Sequence, residues 1–172
     1  IDPVKKLSKK KKQIVFVGKL NEAKGYDLFC EAVDKVLKKY DRWKAFSIGD
    51  EKRFQEYYTN ENQINLGLLD NKKVLKIFQE SEIAVIPSRW DEPFGRTALE
   101  SSSRGCATII SNKGGLTETT NDAIVLKNLD SANIEIEILK LIKNTSLRKK
   151  LQISGIRNLK HVLKLNSIKI DL

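Results

Sequence analysis

Short apolar runs alternate with amphipathic stretches along most of the chain. Six runs rich in Val, Ile, Phe and Ala are each the length of one buried strand. The predicted strands are residues 13–17, 43–48, 63–66, 82–86, 107–110 and 123–126. Strands that are apolar at nearly every position are typical of a parallel sheet that is covered on both faces.

The segments between these runs have helical periodicity. In 25–40, apolar residues recur at steps of three and four, from Tyr26 to Tyr40. We expect Asp70 or Asn71 to cap one helix and Gly105 to end another. The predicted helices are residues 25–40, 52–58, 71–80, 96–104, 131–143 and 146–160.

Strands that alternate with helices predict an α/β fold, a Rossmann-like doubly wound parallel sheet of about six strands. Ligands of such sheets bind beyond the carboxyl ends of the strands. The loops with glycine and charged residues all follow predicted strands. They are residues 18–25, 49–52, 87–95 and 111–118.

The composition fits one soluble globular domain of 172 residues, with 40% hydrophobic and 31% charged residues. We divide the chain into a basic linker at 1–12, the domain at 13–160 and a tail at 161–172. The basic N-terminus has no apolar core behind it, so it is not a secretory signal. Cys30 and Cys106 lie in apolar stretches and are interpreted as buried thiols of a reducing compartment, which predicts a cytoplasmic protein.

The net charge of +10 is concentrated at the two ends of the chain. Residues 1–12 carry +5 and residues 140–172 carry +8, whereas the block between them carries −3. Two interpretations remain open: peripheral contact with the anionic inner face of a membrane, or a solvated tail and helix face. No basic stripe is interleaved with aromatic residues, which argues against nucleic acid as a partner.

The most informative segment is the junction between the strand at 82–86 and the helix at 96–104. The loop between them carries Glu92 and Gly95, and Glu100 follows in the helix. A glycine-containing loop that opens a helix presents free backbone N–H groups and the positive end of the helix dipole. This pattern predicts a site for a phosphate-bearing ligand, and the carboxylates can accept hydrogen bonds from sugar hydroxyls.

The motif of Glu92, then Pro93-Phe94-Gly95, then Glu100 resembles the donor-binding half of GT-B glycosyltransferases, specifically the retaining, glycogen-synthase-like family 4. The resemblance covers about residues 13–160 and includes VGKLNEAKG, SIGDE and the segment from IPSRWDEPFG to GGLTE. It implies hexosyl transfer from a UDP-, GDP- or ADP-linked sugar in polysaccharide or lipopolysaccharide assembly. An N-terminal acceptor domain would lie outside this chain, which alone would be inactive or weakly active.

The resemblance also implies roles for the first loop and for Glu92. Family members use an Arg and a Lys after the first strand to grip the donor diphosphate. Lys24 matches, but Lys19 stands where Arg is more usual and lacks the bidentate fork. Glu92 would face the transferred sugar. Glu92 and Lys24 are the predicted catalytic residues. Because lysines and helix N–H groups can neutralise a leaving diphosphate, we expect no metal and no other cofactor.

The resemblance implies that Glu100 binds the ribose hydroxyls of the nucleotide. The alternative is an exposed helix carboxylate paired with Arg96 or Arg104. Asp50 would lie at the edge of the nucleotide pocket, and residues 65–68 would line the base. The complete set of predicted donor-binding residues is Gly18, Lys19, Lys24, Asp50, Phe94, Gly95, Arg96, Thr97 and Glu100.

A second function is a nucleotide-binding Rossmann-like module without catalysis. Its first strand–helix turn, GKLNEAKG, lacks the G-x-G-x-x-G pattern of dinucleotide sites. The single histidine, His161, lies in the predicted tail and is interpreted as structural or solvated. No catalytic triad or cluster of metal ligands is recognisable in the sequence.

Overall fold

A parallel sheet of six strands forms the centre of the molecule. The computed structural model describes residues 6–51, 60–120 and 122–168, with side chains to residue 159. The strands are β1 (Lys11–Val17), β2 (Lys44–Ile48), β3 (Gln63–Asn65), β4 (Ser81–Ile86), β5 (Ala107–Ile110) and β6 (Ile124–Val125). Their order is β3-β2-β1-β4-β5-β6, and neighbours are parallel throughout. This order confirms the predicted Rossmann-like doubly wound sheet.

Helices cover both faces of the sheet. They are α1 (Tyr26–Lys39), α2 (Asn71–Glu80), α3 (Arg96–Ser103), α4 (Leu116–Thr119), α5 (Ser131–Lys143) and α6 (Thr145–Ile168). Successive strand residues alternate between faces: Ile14 and Phe16 belong to the core with α1 and α5, and Val15 to the core with α2 and α3. No helix in the described ranges is long and apolar enough to cross a bilayer.

Several boundaries differ from the prediction. Helix α1 begins after a short 3-10 turn, Glu22–Lys24, and β6 has two residues instead of four. Helix α4 is too short to show helical periodicity and is not predicted. Helix α6 continues to Ile168, so the first part of the predicted tail is helical. The predicted helix at 52–58 lies outside the described residues.

The basic segment before the sheet is partly built into the fold. Lys10 donates from Nζ to the carbonyl oxygens of Phe78 (3.1 Å) and Arg104 (2.7 Å), at the ends of α2 and α3. Both carbonyls lie at the C-terminal end of a helix, where a cation suits the negative end of the helix dipole. Burial lowers the pKa of the Lys10 ammonium. Since Lys11 pairs with Ser81 in the sheet, β1 begins two residues before the predicted strand.

The predicted helix signals act as expected. Asp70 caps α2 through a hydrogen bond from the backbone N–H of Lys73 to its carboxylate, 2.9 Å long. Gly105 follows α3 with a φ of +79° and donates its N–H to the carbonyl of Ser102. These caps fix where α2 and α3 begin and end, and therefore where the loops around them lie.

Candidate functional site

A crevice lies where the order of the sheet reverses, between the carboxyl ends of β1 and β4. This is where doubly wound sheets bind ligands. The first cavity, of about 50 Å³, is lined by residues from the loops after both strands and from α3. Gly18, Lys24, Glu92, Gly95 and Thr97 are among its lining residues. Five residues named from the sequence therefore meet at one place.

The two residues predicted to be catalytic contact each other. Lys24 donates from Nζ to Oε1 of Glu92 over 2.5 Å, and the side chains are 28% and 20% exposed. Partial burial strengthens the interaction relative to a fully solvated pair. A cation that can bind phosphate and a carboxylate that can bind hydroxyls thus stand side by side in the first cavity.

The 3-10 turn presents Lys24 to the crevice. The side chain of Asn21 accepts a hydrogen bond from the backbone N–H of Lys24, 3.1 Å long, and Gly25 ends the turn with a φ of +70°. A Cβ atom on Gly25 would lie 2.0 Å from the carbonyl oxygen of Pro87. Glycine at this position therefore lets the loop after β4 lie directly against the turn.

Arg89 ties the loop after β4 to the start of α1. Its Nη1 and Nη2 donate to the two carboxylate oxygens of Asp27, both over 2.7 Å, and Nη1 also donates to the carbonyl of Glu22. The backbone N–H groups of Arg89 and Trp90 donate to the carbonyl of Ala23 at 2.9 and 3.1 Å. No local pattern in the sequence indicates a role for Arg89, because its partners are distant in the chain.

This ion pair is reflected in the pKa of each partner. Burial acts to raise the pKa of Asp27, but hydrogen bonds from Arg89, its positive charge and backbone N–H groups hold that pKa below its ordinary value. The hydrogen bonds with Asp27 in turn raise the pKa of Arg89. Both groups are therefore charged at neutral pH.

The turn at Gly114 and Gly115 supports the backbone of Glu92. Gly115 donates its N–H to the carbonyl oxygen of Glu92 over 2.6 Å. Gly114 has a φ of +50°, and a Cβ atom there would lie 2.4 Å from the same oxygen. The sequence indicates only a tight turn here, and the structure adds that the turn contacts the loop of the predicted catalytic carboxylate.

The N-terminus of α3 opens onto the first cavity without a side-chain cap. Among the residues that the structure describes, none accepts a hydrogen bond from the backbone N–H of Gly95, Arg96 or Thr97. These free donors and the helix dipole favour an anion. Phe94, in the preceding loop, is 49% exposed at the same junction. The loop-to-helix junction thus has the free N–H groups expected from the sequence, and phosphate binding there stays a prediction.

Glu100 is buried, with 5% of its surface exposed. Arg96 Nε and Asn71 Nδ2 both donate to its Oε1, over 2.9 and 3.2 Å. No described residue donates to Oε2. The alternative prediction, that Glu100 is exposed, is therefore wrong. The pairing with Arg96 that this alternative included is present. Burial arises because α2 packs beside α3 and brings Asn71 to the carboxylate, and no sequence signal indicates that contact.

A second cavity, of about 170 Å³, lies at the carboxyl ends of β1 and β2. Lys19 and Asp50 line it together with Gly18, which borders both cavities. Leu68, from the segment predicted to line a base, is 72% exposed at this cavity. Lys19 and Lys24 thus line different cavities. Most of the other residues that line the second cavity are aliphatic, which suits a flat apolar group.

Nucleophile and metal chemistry find little support in the described residues. No three His, Cys, Asp or Glu side chains come together there as a metal site would require. Burial raises the pKa of both Cys30 and Cys106 to about 12. Both thiols therefore remain protonated and unreactive at neutral pH.

The family model described as glycosyl transferases group 1 matches residues 1–157 of the chain. A 41.2 kDa protein in the cps region of Klebsiella pneumoniae is 33% identical over 136 residues, which are 77% of this chain and 37% of that protein. The chain spans about a third of the length of the first relatives that it matches.

Solved structures share the fold. The C-terminal domain of the glycosyl transferase group 1 family protein LpcC from Francisella tularensis superposes with a TM-score of 0.77 at 22% identity, covering 92% of this chain and 93% of that one. HepE from Anabaena, solved in complex with UDP-glucose, has a TM-score of 0.70 at 16% identity and covers 91% of this chain and 49% of its own. At these identities the likeness shows the fold alone.

Proposed function

Because the chain belongs to the glycosyl transferases group 1 family, we propose that it is the donor-binding half of a retaining glycosyltransferase. The proposed reaction transfers a hexose from a nucleotide sugar to a cell-surface glycan or lipid-linked acceptor. One observation carries the proposal: the Lys24 ammonium and the Glu92 carboxylate meet in the first cavity, beside the free N–H groups of α3.

The proposed chemistry is stabilisation of a diphosphate leaving group. Negative charge grows on the diphosphate as its bond to the sugar breaks, and Lys24 and the N–H groups that begin α3 would neutralise it. Since that charge is larger in the transition state than in the bound donor, these contacts would accelerate the reaction. Glu92 would accept hydrogen bonds from the sugar hydroxyls, and the departing phosphate would take the acceptor's proton.

Donor binding would require Lys24 and Glu92 to exchange partners. In this structure the two groups neutralise each other. A donor offers Lys24 a phosphate and offers Glu92 a set of hydroxyls, so each charge keeps a partner when the ion pair opens. The ion pair thus holds both side chains at the edge of the first cavity until the donor arrives. We assign no metal or other cofactor, because the crevice supplies its own positive charge.

The nucleoside part of the donor would occupy the second cavity. The base would lie against Leu68, and Oε2 of Glu100 would accept hydrogen bonds from the ribose. The diphosphate would pass Gly18, which borders both cavities. The complex of HepE with UDP-glucose supports a uridine nucleotide as the first donor to test, before GDP- and ADP-linked sugars.

The acceptor would be bound by an N-terminal domain outside this chain, in the cytoplasm. The cps-region relative supports polysaccharide assembly as the setting. Peripheral contact with an anionic membrane would use the basic ends of the chain. Lys10 donates to carbonyls at the ends of α2 and α3, and the exposed Lys11 pairs with Glu80. Lys6, Lys9 and Lys12 are exposed and form no ion pair with any described residue.

Calorimetric titration of the chain with UDP, GDP, ADP and their sugar conjugates tests the proposal. We expect saturable but weak binding of one nucleotide series, because the chain supplies only the donor-binding side of the proposed site. If no nucleotide of the three series shows saturable binding at millimolar concentration, the donor site as described is wrong. If a nucleotide binds and the complete enzyme shows no transfer, the non-catalytic module is correct instead.

A further inference from the structure

We propose that Arg89 is a positioning residue of the donor site, whose ion pair with Asp27 sets the spacing between Lys24 and Glu92. The inference rests on the proposed function and extends it to a residue outside both cavities. Arg89 does not contact the proposed donor, and its effect on binding would pass through the two loops that it joins.

The Arg89 ion pair has the geometry of a rigid link. Two guanidinium nitrogens donate to two oxygens of Asp27 at 2.7 Å each, which fixes orientation as well as distance. The guanidinium also reaches the carbonyl of Glu22, and the backbone at Arg89 and Trp90 bonds to Ala23. This set of contacts joins the loop after β4 to the start of α1.

The link lies close to both predicted catalytic residues. Arg89 is three positions before Glu92 in one loop, and Asp27 is three positions after Lys24 at the start of α1. The Gly25 contact with Pro87 brings the same two segments together without any charge. The loops are thus joined by two ion pairs, the Arg89–Asp27 pair outside the first cavity and the Lys24–Glu92 pair within it.

Only one of the two ion pairs can persist in the donor complex. The Lys24–Glu92 pair must open when its members bind phosphate and sugar, so it cannot hold the loops in that state. The Arg89–Asp27 pair stays closed and keeps the loops at a fixed spacing while the donor replaces the inner pair. This fixed spacing strengthens binding of the diphosphate and the sugar. Binding of the base in the second cavity does not depend on the Arg89–Asp27 pair.

A ligand series distinguishes positioning from a purely structural role. Calorimetry would give the affinities of uridine and UDP, or the matching pair for whichever base binds, for wild type, Arg89→Ala, Arg89→Lys and Asp27→Asn. Lys39→Ala is the matched control, because Lys39, the last residue of α1, pairs with Glu135 of α5 and lines neither cavity. We expect Arg89→Ala to weaken UDP about tenfold and uridine not at all.

The variants should rank by geometry. Lys at position 89 keeps the charge but not the fork, so Arg89→Lys should lose most of the UDP affinity that Arg89→Ala loses. Lys39→Ala should match wild type for both ligands. If the ratio of UDP affinity to uridine affinity in Arg89→Ala equals that of wild type, whether both affinities stay the same or fall by the same factor, the inference is overturned.

A second measurement needs no ligand and separates this inference from the proposed function. Hydrogen exchange in Asp27→Asn should quicken at the amides of Arg89 and Trp90, which bond to Ala23, and stay unchanged in β4. If wild type binds no nucleotide, the proposed donor site is wrong. Hydrogen exchange at these two amides then tests by itself whether the Arg89–Asp27 pair holds the two loops together. Unchanged protection of both amides contradicts it.

Discussion

Lys24 and Glu92 lie 68 residues apart in the chain, yet their charged groups meet at 2.5 Å across the crevice. Each follows a different strand of the sheet, and the reversal of strand order between β1 and β4 brings their loops together. The contact joins a group suited to phosphate with a group suited to sugar hydroxyls.

Replacing Glu92 by Gln should abolish transfer by the complete enzyme while the fold persists. The ion pair is partly exposed, so its loss should lower the free energy of unfolding by about 1 kcal/mol or less. A transfer assay and urea unfolding of the chain measure the two effects. Transfer at the wild-type rate would contradict the catalytic role of Glu92.

Gly114→Ala should destabilise the chain more than Gly67→Ala. Both glycines have positive φ, which costs an alanine about 1–2 kcal/mol. A Cβ at Gly67 meets nothing within 4 Å, whereas one at Gly114 would lie 2.4 Å from the carbonyl oxygen of Glu92. Urea unfolding of both variants measures this difference. Equal losses in the free energy of unfolding would show that the loop of Glu92 can move to accommodate the added Cβ atom. Donor affinity should fall in Gly114→Ala, because this turn supports the backbone of Glu92.

The stability contributed by Asp27 should depend on pH in a defined direction. Its pKa is lower in the folded chain than the unfolded value of about 3.9, so the folded state favours the carboxylate. The contribution is therefore complete above about pH 5 and is lost as pH falls below 4 toward the folded pKa. The gap in urea midpoint between wild type and Asp27→Asn should be constant from pH 7 to 5 and narrow by pH 3. A gap independent of pH would show that Asp27 gains nothing from ionisation.

Glu100→Ala should remove discrimination between ribose and deoxyribose. Oε1 of Glu100 is held by Arg96 and Asn71, and we propose that Oε2 accepts from the ribose. A hydrogen bond to a charged group is worth about 1.5–3 kcal/mol, so wild type should prefer UDP to 2′-deoxy-UDP by roughly 10–100-fold. The same preference in Glu100→Ala would place the ribose elsewhere. If another base binds, its ribo and deoxy forms replace the uridine pair.

The fold and the crevice could be predicted because their signals are local. Each strand is a short apolar run, and the glycines and charged residues follow strands whose carboxyl ends share one edge of the sheet. The sequence therefore predicts that Lys24, Glu92, Gly95 and Thr97 lie together, and all four line the first cavity. Family resemblance added the proposed role of each residue.

The supporting contacts could not be predicted, because they join side chains from separate elements. Arg89 reaches Asp27 across 62 positions, and Asn71 reaches Glu100 across 29. Neither spacing has a helical or strand period, so no pattern in the sequence indicates it. The position of Lys19 after β1 predicts that it lies beside Lys24. In the structure Lys19 lines the second cavity, whereas Lys24 lines the first.

The most direct test of the donor site is the affinity of the chain for a nucleoside diphosphate after Lys24→Met, with Lys35→Met as control. Lys35 also pairs with a glutamate, Glu31, but on the exposed surface of α1, so its loss should leave affinity unchanged. We predict that Lys24→Met weakens UDP, or whichever diphosphate binds, about tenfold and leaves the nucleoside unaffected. Equal affinities of the two variants for the diphosphate would contradict the account.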